Sequence, residues 1–149
     1  MSKRILITGV NGQVGNAIMD LKHDYPFKII PVTRSIWDMA KEPEKIKTLV
    51  KQYQPDVVIN TAAYTNVDEA EDDHDTAYAV NATAVGLLAK ACQQNNIPLL
   101  HISTDYVFDG TKETPYTEND PINPINVYGK SKAEGERLIR KVLDKHIIL

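Results

Sequence analysis

Three glycines within the first fifteen residues constrain the fold of this chain more than any other feature. Gly9, Gly12 and Gly15 directly follow an apolar run, residues 4–8, and open a segment with helical periodicity. This spacing at a strand-to-helix turn is typical of sites that bind a dinucleotide pyrophosphate, because glycine permits a tight turn and close approach of phosphate to the backbone. A tight turn also needs glycine for structural reasons alone, but the strand, turn, helix and second strand together favour nucleotide binding.

Short apolar runs alternate with longer helical segments along the rest of the chain. We predict strands at residues 4–8, 28–33, 56–61 and 98–104, and helices at about 13–23, 43–53, 73–95 and 126–144. The strand runs are nearly continuous in apolar residues, as expected for parallel strands buried on both faces. The sequence therefore predicts an α/β fold, a Rossmann-like doubly wound parallel sheet with helices on both faces.

The length and the last residues bear on domain organisation. A chain of 149 residues with 42% hydrophobic residues suits one domain. Residues 146–149 have the pattern of a further strand, and a four-residue strand is an unusual place for a natural chain to stop. We therefore expect residues 1–149 to be the dinucleotide-binding domain of a longer protein, with a C-terminal substrate domain absent.

Charge and composition exclude several classes of function. The net charge is -3 with scattered Lys and Arg, so no basic surface for nucleic acid is expected. Neither a membrane-spanning segment nor a signal peptide is predicted, which indicates a cytoplasmic protein. The single cysteine, Cys92, lies among apolar residues and is predicted to pack in the core. The acidic run at residues 68–75 is interpreted as a solvated helix entry, and no metal site is predicted.

The end of the second predicted strand bears on the choice of cofactor. Thr33, Arg34 and Ser35 stand where an Asp or Glu would bind the 2'-hydroxyl of an adenine ribose. An arginine at this position can receive a 2'-phosphate, which favours NADPH and leaves NADH as the second choice. The alternative is that Arg34 is a solvated surface residue.

Tyr128 and Lys132 are the candidate catalytic pair. They are four residues apart in a predicted helix, so both side chains can project into one site. A neighbouring ammonium stabilises a phenolate, which makes the phenol a usable general acid. This spacing often arises by chance, but the glycine turn and the Ser103-Thr104-Asp105 segment raise the weight of the catalytic interpretation.

Five segments occur in an order that indicates a family. They are residues 9–15, 60–71, 80–82, 103–110 (Ser-Thr-Asp-Tyr-Val-Phe-Asp-Gly) and 127–132. Over its whole length the chain resembles the dTDP-4-dehydrorhamnose reductases of the extended short-chain dehydrogenase/reductase group. The resemblance implies reduction of the 4-keto group of dTDP-4-dehydro-L-rhamnose to dTDP-L-rhamnose by NADPH or NADH, in a protein about twice this length.

The resemblance also implies roles for individual residues. Thr104 matches a hydroxyl that polarises the ketone, Tyr128 the proton donor, and Lys132 the residue that holds the nicotinamide ribose. The other implied positions are Gly12, Gln13 and Val14 at the pyrophosphate, Asp38 and Met39 at the adenine end, Ala62, Ala63 and Tyr64 at the ribose and nicotinamide, and Asp105 at the substrate edge. Asn81 is either a packing residue or part of the support around the site.

Related enzymes and a noncatalytic subunit are the alternatives to a reductase. A sugar-nucleotide dehydratase would typically carry an Asp-Glu pair after the active-site Thr, so the Asp105-Tyr106 pair after Thr104 counts against that function. An epimerase would recycle its cofactor, and a noncatalytic regulatory subunit would resemble the β subunit of methionine adenosyltransferase. A homodimer is left open. We expect residues 1–149 alone to bind dinucleotide but to reduce the sugar nucleotide poorly or not at all.

Overall fold

The computed structural model describes residues 2–149 as a five-stranded parallel sheet flanked by helices. The strand order is β2-β1-β3-β4-β5. The strands are β1 Arg4–Thr8, β2 Lys28–Val32, β3 Val57–Asn60, β4 Leu99–His101 and β5 His146–Ile148. The helices are α1 Gln13–Asp20, α2 Lys45–Tyr53, α3 His74–Tyr78, α4 Ala84–Gln94 and α5 Val127–Val142. The predicted α/β fold and the strand at the end of the chain are confirmed.

The largest differences between the predicted and the observed bounds are in two helices and one strand. The first helix ends at Asp20 instead of residue 23, because the N–H groups of Leu21 and Lys22 bond to carbonyls only three residues back and tighten the last turn. The predicted helix at residues 73–95 is interrupted by a π-helical turn, Ala79–Thr83, between α3 and α4. The fourth strand is Leu99–His101, shorter at both ends than the predicted residues 98–104, although the Ile102 N–H still bonds to the Asn60 carbonyl.

The main core lies between one sheet face and α2, α4 and α5. Leu6, Val58 and Leu99 point from the strands into it, where Leu88 and Ile139 from the helices meet them. Cys92 is buried in this core, and burial raises the pKa of its thiol to about 12, which confirms its predicted packing role. Within residues 2–149 the structure contains no helix with the length and apolar character needed to span a bilayer.

The carboxyl ends of β1, β3 and β4 lie side by side and define where a ligand can bind. Thr8 pairs with Asn60, and Asn60 pairs with His101, in the register of the parallel ladders. The turns that follow these residues therefore emerge at one edge of the sheet. In open α/β sheets, ligands bind at this edge, where the chain connections change direction.

Candidate functional site

The predicted site residues come together at this carboxyl edge. The glycine turn follows β1, the Ala62–Ala63–Tyr64 segment follows β3, and Thr104 follows β4. Tyr128 and Lys132 lie on α5, one helical turn apart, as predicted. Segments that are far apart in the sequence thus meet at one edge of the sheet.

The glycine turn is packed so tightly that side chains are excluded at two positions. Gly9 has a φ of +72°, and a Cβ atom there would lie 2.5 Å from the Ala62 nitrogen. A Cβ atom on Gly15 would lie 2.3 Å from the Gly9 carbonyl oxygen. Gly12 is exposed at the start of α1, and no side chain within residues 2–149 caps this helix N-terminus. The free helix end next to Gln13 and Val14 fits a pyrophosphate.

The structure distinguishes Gly15, where a side chain would clash with backbone, from Gly12, where there is more room. We expect Gly15→Ala to lower the free energy of unfolding by roughly 3 kcal/mol, because backbone must move to admit the methyl group. At Gly12 the added carbon would lie 3.3 Å from the Gly9 oxygen, so Gly12→Ala should keep the fold and weaken NADPH binding. Urea unfolding and fluorescence titration with NADPH measure the two effects; equal stability losses in both variants would contradict the distinction.

The residues assigned to the adenine end form a small polar group after β2. The Arg34 side chain is 79% exposed, and its Nε atom lies 3.4 Å from Asp38 Oδ2. Asp38 Oδ1 accepts hydrogen bonds from the N–H groups of Ala40 and Lys41. Burial alone would raise the pKa of the Asp38 carboxyl, but the Lys41 N–H and the Arg34 guanidinium lower that pKa, and the net shift is downward. Arg34 is therefore an exposed guanidinium beside Asp38, whereas Asp38 is held by backbone hydrogen bonds and Met39 is buried.

Asn81 anchors the segment after β3 to α5. Its Oδ1 accepts from the Tyr64 N–H at 2.9 Å, and its Nδ2 donates to the Tyr64 carbonyl at 3.0 Å. The same Nδ2 donates to Ser131 Oγ at 3.0 Å, next to Lys132. Asn81 lies in the π-helical turn, a feature often found at functional sites. The structure thus gives Asn81 the supporting position that the sequence left open.

Tyr128 and Thr104 lie on elements that are in close contact. The Tyr128 side chain is 8% exposed, and its ring packs edge-on against Tyr106 with centroids 5.5 Å apart. Gly129 allows this approach, since a Cβ atom there would lie 2.2 Å from the Tyr106 carbonyl oxygen. Thr104 is half-buried; its Oγ1 accepts from the Tyr106 N–H and donates to Asp105, both at 3.3 Å. The Thr104 hydroxyl and the exposed Asp105 border the space in front of α5.

Lys132 is buried although it carries an ammonium group. The residue is 2% exposed, and its Nζ donates to the Ile102 carbonyl at 2.7 Å. Burial lowers the pKa of Lys132 to about 8, and the Glu136 carboxylate opposes that shift. The lysine is therefore mostly protonated at neutral pH, and is held between α5 and the end of β4.

A buried polar chain beneath the site was missed by the sequence analysis. Thr8 Oγ1 donates to Asn60 Oδ1 at 2.5 Å, and Asn60 Nδ2 lies 2.8 Å from His101 Nδ1. Burial, with a smaller effect from the nearby Lys132, lowers the pKa of His101 to about 3, so its ring is neutral. The position of these residues in the sequence could have predicted the polar chain, because Thr8, Asn60 and His101 are each the last residue of a strand.

The acidic run contributes to the structure around the site. The Asp73 carboxylate accepts from the Thr76 N–H at the start of α3, and the Glu71 carboxylate accepts from the Val127 N–H at the start of α5. Within residues 2–149 no group of three or more His, Cys, Asp or Glu side chains is arranged to hold a metal ion. Glu71 and Asp73 thus each accept a hydrogen bond from a backbone N–H at the start of a helix.

Comparison with known proteins gives a consistent set of relatives. The RmlD substrate binding domain family matches residues 3–149. The chain is 44% identical over 147 residues to the dTDP-4-dehydrorhamnose reductase of Aggregatibacter actinomycetemcomitans, covering 98% of this chain and 50% of that protein. It is 47% identical over 135 residues to the same enzyme of Burkholderia thailandensis, covering 89% of this chain and 44% of that protein.

Solved structures agree with the sequence relatives. The crystal structure of dTDP-4-dehydrorhamnose reductase from Bacillus anthracis in complex with NADP matches with a TM-score of 0.94 and 36% identity, covering 99% of this chain and 52% of that one. The ortholog from Clostridium acetobutylicum matches with a TM-score of 0.91 and 40% identity, covering 97% of this chain and 51% of that one. The chain spans about half the length of the relatives it matches.

Proposed function

Because this chain belongs to the RmlD substrate binding domain family, we propose that it carries the dinucleotide site and the catalytic residues of a dTDP-4-dehydrorhamnose reductase. The reaction is reduction of the 4-keto group of dTDP-4-dehydro-L-rhamnose to the alcohol of dTDP-L-rhamnose. NADPH is the preferred reductant, and NADH is the alternative. Relatives at 44% and 47% identity that bear this enzyme's name support the proposal.

The observation that carries the proposal is the meeting of three separate features at one sheet edge. The glycine turn leaves the N-terminus of α1 free for a pyrophosphate. The segment after β4 presents the Thr104 hydroxyl, and α5 presents Tyr128 with the buried ammonium of Lys132 behind it. Together these features supply a cofactor site, a donor to a carbonyl oxygen and an acid.

Each residue has a defined task in this mechanism. When bound, NADPH supplies the hydride that adds to the ketone carbon. Negative charge then develops on the ketone oxygen, where the hydroxyls of Thr104 and Tyr128 donate hydrogen bonds to it. Tyr128 transfers its proton to that oxygen, and the Lys132 ammonium stabilises the resulting phenolate. The Asn81 contacts keep the segment at Ala62, Ala63 and Tyr64 in place along the cofactor.

The test is a spectrophotometric assay of NADPH oxidation with the 4-keto sugar nucleotide. We expect the full-length polypeptide to consume NADPH and substrate in equal amounts and to release dTDP-L-rhamnose. Recycling of tightly held cofactor without net oxidation would indicate an epimerase instead. Nucleotide binding with no ketone reduction would indicate a noncatalytic subunit.

We also propose that the substrate domain lies outside these 149 residues, since the matched relatives are about twice as long. Residues 1–149 alone are then expected to bind NADPH but to turn over the sugar nucleotide poorly. Fluorescence titration and the same assay, run side by side on the short and long polypeptides, measure both properties. Equal turnover by the two polypeptides would contradict the proposed domain division.

Cofactor preference provides a separate prediction at Arg34. In Arg34→Ala we expect KM for NADPH to rise roughly tenfold and KM for NADH to change little, because only NADPH carries the 2'-phosphate that a guanidinium binds. Arg137→Ala is the matched control, since Arg137 is an exposed arginine paired with Glu134 on α5. An equal rise in KM for both cofactors, or a wild-type preference for NADH, would refute this role.

A further inference from the structure

Glu136 is a buried acidic residue that the proposed chemistry does not use. It lies on α5 one turn beyond Lys132 and is 3% exposed. Its Oε1 accepts a hydrogen bond from Ser103 Oγ, and its Oε2 pairs with Nη1 of the half-exposed Arg140 at 2.8 Å. A buried carboxylate is costly unless it is paired and hydrogen-bonded, so both of these contacts are needed to keep it there.

The contacts of Lys132 and Glu136 join α5 to the segment that carries Thr104. Lys132 Nζ bonds the carbonyl of Ile102, and the Glu136 carboxylate bonds the side chain of Ser103. Two successive helical turns therefore hold two successive residues of the chain, and Thr104 is the next residue. The helix that bears Tyr128 is thus connected directly to the strand end that bears the second hydroxyl.

Close packing at the adjacent residue, Gly135, also limits the freedom of α5 to shift. A Cβ atom on Gly135 would lie 2.1 Å from the Asn81 carbonyl oxygen, which shows how closely the helix approaches the π-helical turn. Adjacent residues of α5 thus contact two different segments, Gly135 the π-helical turn at Asn81 and Glu136 the end of β4 at Ser103.

The same carboxylate acts electrostatically on Lys132. Residues four apart on a helix are neighbours, and here both side chains are buried and opposite in charge. The other titratable groups around the ammonium are Tyr128, one turn back on α5, and His101 on β4, which is neutral near pH 7. Glu71 approaches α5 at its first turn, where it accepts from the Val127 N–H. Glu136 is therefore the carboxylate placed to offset the burial of the Lys132 charge.

We propose that Glu136 is a positioning residue for the reduction: it fixes Thr104 relative to Tyr128 through Ser103, and it stabilises the ammonium of Lys132. The inference rests on the proposed function for its catalytic meaning. The two effects are separable, because one acts through the hydrogen bond to Ser103 and the other through the charge.

Two substitutions separate the effects. Glu136→Gln keeps an acceptor oxygen for Ser103 but removes the charge, so we expect the pKa of Lys132 to fall by roughly one unit. Ser103→Ala keeps the charge but removes the hydrogen bond, so we expect an unchanged Lys132 pKa and a kcat lower by roughly tenfold, with KM for NADPH within about twofold. Glu134→Gln is the matched control, since Glu134 is on the same helix and pairs with Arg137 at the surface.

The Lys132 titration is measured by NMR on protein with labelled lysine side chains, with Lys132→Met to assign the signal. This readout needs no substrate, and the kinetic parameters of the full-length protein are measured separately. An identical Lys132 titration in wild type and Glu136→Gln, or an equal shift in Glu134→Gln, would overturn the electrostatic effect. If Glu136→Gln does not fold, Ser103→Ala still decides the positioning effect, which an unchanged kcat would overturn.

These results distinguish this inference from the proposed function. If Glu136→Gln shifts the Lys132 titration but the wild-type protein does not reduce the ketone, the proposed function is wrong and the electrostatic effect of Glu136 on Lys132 is supported. The opposite outcome has three parts: the wild-type protein reduces the ketone, Lys132 titrates identically in wild type and Glu136→Gln, and Ser103→Ala has an unchanged kcat. These results would support the proposed function and overturn the role of Glu136.

Discussion

Tyr128→Phe is expected to lower kcat for ketone reduction by the full-length protein roughly 10²- to 10⁴-fold, the usual contribution of a positioned general acid. In the proposed mechanism, the substitution removes the proton that the ketone oxygen receives and one of the two hydroxyls that stabilise its developing charge. Because both substrates still bind through other groups, we expect KM for NADPH to change little. Initial rates over a range of both substrates measure the loss.

The fold should survive this change, because phenylalanine keeps the ring. Tyr128 packs with Ala70, Ala77 and Val127, and lies edge-on to Tyr106. Tyr106→Phe is the matched control, since it alters the neighbouring tyrosine, which is exposed, and retains the same ring contact. A Tyr128→Phe protein that keeps more than a tenth of wild-type kcat, or an equal loss in Tyr106→Phe, would refute Tyr128 as the proton donor.

The sequence could predict the sheet because its strands are short, apolar and bounded by turns. Residues 4–8 and the glycine spacing predict the first strand, the turn and the helix start, and the structure has them there. The end of α1 and the break at residues 79–83 could not be predicted in the same way. Both depend on hydrogen bonds that are not visible in periodicity, such as those of Asn81 to the distant Tyr64.

The sequence predicted which elements carry the candidate site residues better than it predicted the contacts around them. Helical spacing was enough to place Tyr128 and Lys132 on one helix. The contact of Lys132 with the Ile102 carbonyl and the pairing of Glu136 with Ser103 depend on how α5 packs across β4. Such contacts join residues about thirty positions apart, and neither local pattern nor composition encodes them. The buried chain through Asn60 differs from these contacts, because each of its members is the last residue of a strand and the sequence therefore carried a positional signal for it.

Lys132→Met is expected to change how the free energy of unfolding depends on pH, because the substitution removes a buried ammonium group. The folded pKa of Lys132 is about 8, lowered by burial from an ordinary value of 10.5. Between these two pH values the unfolded chain binds more protons than the folded one, so the free energy of unfolding rises with pH. At about 1.4 kcal/mol per unit of pKa difference, Lys132 contributes a rise of about 3 kcal/mol over this window, which the variant lacks.

The comparison of unfolding free energies isolates this one group. Urea unfolding of wild type and Lys132→Met is measured at pH 7.5 and pH 10.5, and wild type should gain about 3 kcal/mol relative to the variant between the two. Lys130→Met, which changes an exposed lysine on the same helix, should show no such difference. At pH 7.5 we also expect Lys132→Met to reduce ketone roughly 100-fold more slowly, because the phenolate loses its stabilising charge. A constant stability difference between the two pH values would show that the buried lysine is not held with a lowered pKa.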